Sequence, residues 1–233
     1  MGSIPTNVIP YLIGALATFV VGVRSTQNYH KFRSPLSRHF AISGFLASAG
    51  LFLYSVPFIF GLSGDSLRSP LLLGRFFLDL VAYIQVYLIW YLTSLRRVSL
   101  GWLALPATAI FMIGYAIQVK YLLTASLGVV NGSATTEFVA TAAYFHAFAL
   151  LIVFCAGLIL AKNAFVQNDT RGKVRLFSVA LLYMAASASD FYGAIFLGGL
   201  NNSWVVLAGF LVASGGFLLT SFLFTDRKET EKK

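Results

Sequence analysis

Seven long apolar stretches run through this chain, and its positive charge collects in every second gap between them. That alternation constrains the fold more than any other feature. Of the 17 Lys and Arg residues, all but Arg68, Arg75 and Lys120 fall in segments 24–38, 96–97, 162–175 and 227–233. A helix needs about 20 apolar residues to cross the roughly 30 Å hydrocarbon core of a bilayer. Lys and Arg concentrate in the loops that stay on the cytoplasmic side. The pattern therefore predicts an all-α integral membrane protein, a seven-transmembrane-helix bundle with its N-terminus outside and its C-terminus cytoplasmic. An odd number of spans agrees, because it places the two ends on opposite faces.

Composition supports the class. The 233 residues are 58% hydrophobic and 11% charged, whereas a soluble domain carries about 25% charged residues. Helices are expected at about 7–24, 39–61, 70–95, 100–122, 138–162, 173–198 and 203–225. They form one domain over 1–225, with a charged cytoplasmic tail at 226–233. Only short connections remain, too short for a soluble catalytic or nucleic-acid-binding domain. The net charge of +9 in a soluble chain would suit nucleic acid. Confined to alternating gaps, it suits the anionic cytoplasmic lipid surface instead. Cys155 is the single cysteine and has no partner for an internal disulfide. The N-terminal Met1-Gly2-Ser3 matches a myristoylation pattern, but an N-terminus outside the cell makes the match a chance one. Ala15-Leu16-Ala17 has the form of a signal-peptidase site. It lacks a basic segment before it, so a retained first helix is expected. The sequons at Asn131 and Asn201 fall on the outer side.

Ionisable groups inside a bilayer cost about 2.5–3.5 kcal/mol each at its centre on insertion scales, so those present need a reason. Asp79, His146 and Asp190 are the clear cases, with Arg75 and Glu137 nearer the outer edge. Counting from the expected helix ends puts all three at similar depths of roughly 12–13 Å, at 1.5 Å per residue. Unrelated accidents would scatter. On the third helix, Arg75, Asp79, Tyr83, Tyr87 and Tyr91 recur every four residues and form a drifting stripe. Arg75 and Asp79 have the spacing of an ion pair, and the tyrosines add hydroxyls and ring faces. On the sixth helix, Ala185, Ser189 and Gly193 form a small-residue ridge that permits close helix approach, with Asp190 beside it. Plain structural roles stand beside each reading: an interfacial ion pair, a satisfied core histidine, a polar clamp, aromatic packing. Tyr11, Trp102, Tyr121 and Trp204 read as interfacial anchors.

Sharper chemistries fail on particular residues. Gly61-Leu62-Ser63-Gly64 resembles the GxSG of rhomboid-type intramembrane proteases, but it falls in an outer loop and lacks the expected histidine context. His30 and His39 lie toward the cytoplasmic side. A metal site would have to use Asp79, His146 and Asp190, a minor alternative. In size, span number, orientation and an Arg with an Asp on helix three, the chain is similar to microbial rhodopsins. That family needs a lysine in helix seven for its retinal, and 203–225 has none. The likeness is therefore topological, and no cofactor is expected.

The reading that results is a receptor- or sensor-like protein of the cell membrane and not an enzyme. An outward-opening polar pocket for a small ligand or a proton is expected at Arg75, Asp79, His146 and Asp190, with Tyr83 and Tyr87 at its floor. Expected partners are the lipid bilayer, a small-molecule ligand, and a cytoplasmic signalling partner or anionic lipid at the basic loops, with no nucleic acid. The alternative is a small-solute or proton-coupled transporter that uses the Asp79 and Asp190 carboxylates. Against the alternative, the inner halves of the helices read as poor in charged and amide groups.

Overall fold

The computed structural model describes residues 8–62, 64–124, 128–130, 133–135 and 140–196. Six long helices follow one another: α1 (Ile9–Phe32), α2 (Pro35–Ile59), α3 (Arg68–Leu92), α4 (Leu100–Thr124), α5 (Ala140–Val166) and α6 (Thr170–Phe196). Five stretches, Ile9–Phe32, Pro35–Pro57, Asp65–Leu92, Leu100–Lys120 and Tyr144–Val166, are long and apolar enough to cross a membrane. Five such helices fit a multi-pass membrane protein. The sixth helix, α6, has 27 residues. The expected seventh helix, 203–225, lies outside the described residues.

Two differences from the sequence reading have physical causes. The basic segment 24–38 was expected as a loop, yet α1 runs on to Phe32 and α2 starts again at Pro35. Proline is favoured in the first turn of a helix, where its missing N–H costs nothing. Only Arg33 and Ser34 separate the helices. Arg33 takes a left-handed conformation (φ 53°) and its N–H closes the last turn of α1 on the Tyr29 carbonyl. The second difference is a β-hairpin, β1 (Gly128–Val130) with β2 (Ser133–Thr135), in the connection between α4 and α5. Val130 pairs with Ser133, and the sequence between them reads Asn131-Gly132. That dipeptide is the one most favoured in two-residue hairpin turns.

We call the ends of the bundle the hairpin face and the basic face. α1 packs along α2, α5 packs along α6, and α3 sits between the pairs in contact with α2, α4 and α5. Missing side chains permit the tightest contacts. A Cβ on Gly44 would lie 2.7 Å from the Gly22 nitrogen and 2.8 Å from the Thr18 carbonyl oxygen. Nearby, Ser48 Oγ donates to the Ala15 carbonyl across the same interface at 2.8 Å. Gly50 and Gly74 make the crossing of α2 over α3, where a Cβ on either would lie 3.0 Å from the other's carbonyl oxygen. Small residues at crossings let membrane helices gain dispersion contacts that lipid cannot supply. Large apolar side chains point outward, as on α4, where Trp102 is 79% and Leu105 75% exposed.

Gly44→Val forces the α1–α2 backbones apart and should destabilise the bundle by about 1–3 kcal/mol, the usual cost of overpacking. Gly101→Val, where the nearest atom to a new Cβ is Ser99 Oγ at 3.6 Å, should have much less effect. Unfolding of the detergent-solubilised variants compares the two.

Candidate functional site

α3 has apolar residues around most of its circumference, so its few polar groups must face other helices. Arg75 and Asp79 do so, at 3% and 8% exposure. One turn apart, they form an ion pair in which Arg75 Nε lies 3.1 Å from each carboxylate oxygen. α5 adds His146, buried, whose Nδ1 lies 3.5 Å from Asp79 Oδ1. This is a close polar approach rather than a short hydrogen bond. The depth arithmetic had placed Asp79 and His146 at one level, and here they stand side by side. Gly74, next to Arg75, lets α2 close over this part of α3.

The cluster forms one wall of a cavity of about 180 Å³ between α1, α2, α3, α5 and α6. Tyr11 and Tyr54 line it toward the hairpin face, their rings stacked at 6.0 Å. Tyr183 and Ser187 of α6 line it toward the middle of the bundle, and most of the remaining lining is aliphatic. Low polarity around the ion pair strengthens every electrostatic interaction there. Because the Arg75 guanidinium compensates the Asp79 carboxylate, the pair leaves little net charge on the wall.

Tyr83 and Tyr87 lie elsewhere. Four-residue steps advance about 40° beyond a full turn each, because the helix has 3.6 residues per turn. The stripe therefore leaves the Asp79 wall. Tyr83 packs on Phe111 of α4 with ring centroids 5.3 Å apart, and Tyr87 stacks on Tyr91 at 5.8 Å. Both line a second cavity, of about 600 Å³, that opens toward the basic face between α2, α3 and α4. Asp190 lies on α6, less than a turn beyond the cavity-lining Ser187, and its side chain is outside the described residues. Among the described residues no three His, Cys, Asp or Glu side chains converge as a metal site would require.

The sequence reading overlooked a polar layer between the two cavities. Gln85 of α3 is fully buried. Its amide Nε2 donates to the Val81 carbonyl at 2.9 Å and to Ser43 Oγ at 3.3 Å. That leaves Oε1 to accept from His39 Nε2 at 3.0 Å, which fixes the His39 proton on Nε2. Tyr183 of α6 lies beside Ser43 and Gln85. α2 and α3 are thus tied together by one network, with α6 packed beside it. Placing the start of α2 at 39 had left His39 at a helix edge. Ser34-Pro35 is the signal that would have put it a turn inside.

No protein family model, curated protein or solved structure matches the chain.

Asp79→Asn leaves the buried Arg75 guanidinium uncompensated and should cost about 3–5 kcal/mol of stability, as breaking a buried pair does. The double replacement Arg75→Met with Asp79→Leu removes both charges and should recover most of that loss. Denaturant unfolding in detergent distinguishes these outcomes.

Proposed function

We propose that this is a receptor- or sensor-like seven-helix protein of the cell membrane, with its N-terminus outside and its C-terminus cytoplasmic. The Arg75–Asp79–His146 wall would receive a small hydrogen-bonding ligand or a proton from the outer side. One observation carries the reading: three buried ionisable groups from two helices meet at the wall of a cavity. A bilayer protein retains such groups when they are paired, hydrated or useful. At about 180 Å³ the cavity is smaller than the roughly 300–1,000 Å³ of drug-sized ligand pockets, so the ligand is small. Asp190 belongs to this reading through its place on α6. The basic residues then serve orientation and contact with a cytoplasmic partner or anionic lipid. The site is one for binding, and no catalytic step is assigned to it.

The polar layer favours a receptor over a conduit. Below the cavity, Gln85 has its donors and acceptor committed to neighbours, and an amide neither releases nor takes up a proton near neutral pH. A binding event there would reach the basic face by moving α2, α3 or α6 rather than by passing the solute through. The transporter alternative draws support from the same layer: one cavity lies on each side of it, the arrangement expected when a central barrier opens alternately to the two faces. The polar inner half that the layer supplies removes the main sequence argument against that alternative.

Proteoliposomes enclosing a pH-sensitive dye should show no more proton flux than empty vesicles. Sustained flux that disappears in Asp79→Asn would replace the receptor reading with the transporter one. For orientation, single cysteines at Thr6 and Thr230 in a Cys155→Ser background should differ. The first should react with an impermeant thiol reagent in intact cells, the second only after permeabilisation.

A further inference from the structure

The larger cavity lies apart from the Asp79 wall and has a polarity gradient of its own. At the basic face its mouth holds Arg33 and Arg38, both exposed. The Arg33 guanidinium lies over the Tyr29 ring at 5.7 Å, which holds it at the end of α1. His39 forms the adjoining wall, and its outward reach is limited by the bond to Gln85. Among the described residues lining this cavity there is no Asp or Glu. The mouth is therefore a place for an anion.

Beyond the mouth the lining becomes apolar. Ile42, Leu80, Ile84, Ala107, Phe111 and Met112 face the space from three helices. The lining of α4 runs from Leu100 to Met112, which is about 18 Å of helix at 1.5 Å per residue. One leaflet contributes about 15 Å to a hydrocarbon core of roughly 30 Å. The slot therefore reaches from the basic face to about the bilayer midplane. α4 is held by α3 and α5, and its separation from α2 creates the slot. Its volume, about 600 Å³, falls within the roughly 300–1,000 Å³ of ligand pockets.

A cationic mouth at the lipid headgroup level and an apolar slot one leaflet deep match a single class of molecule. We propose that this cavity binds an anionic glycerophospholipid of the adjoining leaflet. Its phosphate sits between Arg33 and Arg38, and one acyl chain lies along α3 between α2 and α4. The guanidinium groups supply paired N–H donors to phosphate oxygens, and the chain replaces empty space with dispersion contacts. The choice of the cytoplasmic leaflet rests on the orientation proposed above; the site itself does not.

Native mass spectrometry of the full chain in detergent tests the proposal with phosphatidylglycerol, phosphatidylcholine and inorganic phosphate as probes. Phosphatidylglycerol should bind at least tenfold more tightly than phosphatidylcholine, and millimolar phosphate should not displace it. Arg33→Gln with Arg38→Gln should weaken binding tenfold or more. Ala104→Phe, which fills the apolar slot and leaves every charge in place, should weaken it similarly in protein that melts like the wild type. Equal binding of the two lipids, or wild-type binding by Ala104→Phe, would overturn the lipid assignment. Displacement by phosphate would reassign the mouth to a free anion. A lipid result of either kind leaves the cysteine-labelling outcome unaffected, so a wrong orientation and a wrong ligand fail separately.

Discussion

The Arg75–Asp79 ion pair sets the terms for the rest of the bundle. Two charges in hydrocarbon are tolerated only where each offsets the other and neither meets lipid. That condition turns one face of α3 inward and makes α3 the helix on which α2, α4 and α5 pack. It calls for a close α2, which Gly50 and Gly74 permit, and it brings α5 near enough for His146 to reach the carboxylate. The cavity beside the pair follows from the same geometry. Long polar side chains projecting from α3 keep α1, α2, α5 and α6 from closing completely over that wall.

Apolar runs were the most legible part of the sequence because their length answers directly to bilayer thickness. Five of them appear as helices suited to a membrane, and the level shared by Asp79 and His146 followed from counting residues. Boundaries at the basic face were less legible. Charge marks where a helix leaves the hydrocarbon, not where it ends, so α1 passes Arg24 and continues to Phe32. The tyrosine stripe was read as one face although its four-residue spacing rotates steadily. Tyr83 and Tyr87 consequently serve a different cavity from Asp79. Gln85 was visible as a polar residue on an apolar helix, but its partners on α2 are more than forty positions away. No local pattern reveals such a meeting.

The polar groups thus form two levels with different chemistry. The first pairs full charges beside a small cavity. The second is a neutral network whose members satisfy one another, the condition under which buried polar groups contribute specificity rather than strain. Gln85 holds α2 in register against α3, so the two cavities share a boundary made of hydrogen bonds instead of packed aliphatic side chains. Such a boundary is directional: it resists small displacements and gives way once its angles fail.

The turn at Arg33 and Ser34 has a mechanical consequence. Two residues give no slack between α1 and α2, and the contact of Gly22 with Gly44 blocks sliding of one helix along the other. The helical hairpin is therefore a single strut. Tyr11, near one end of it, borders the small cavity, and Tyr29, near the other, borders the large one. A tilt that changes the space at one end must change it at the other, with α1 acting as the beam between them.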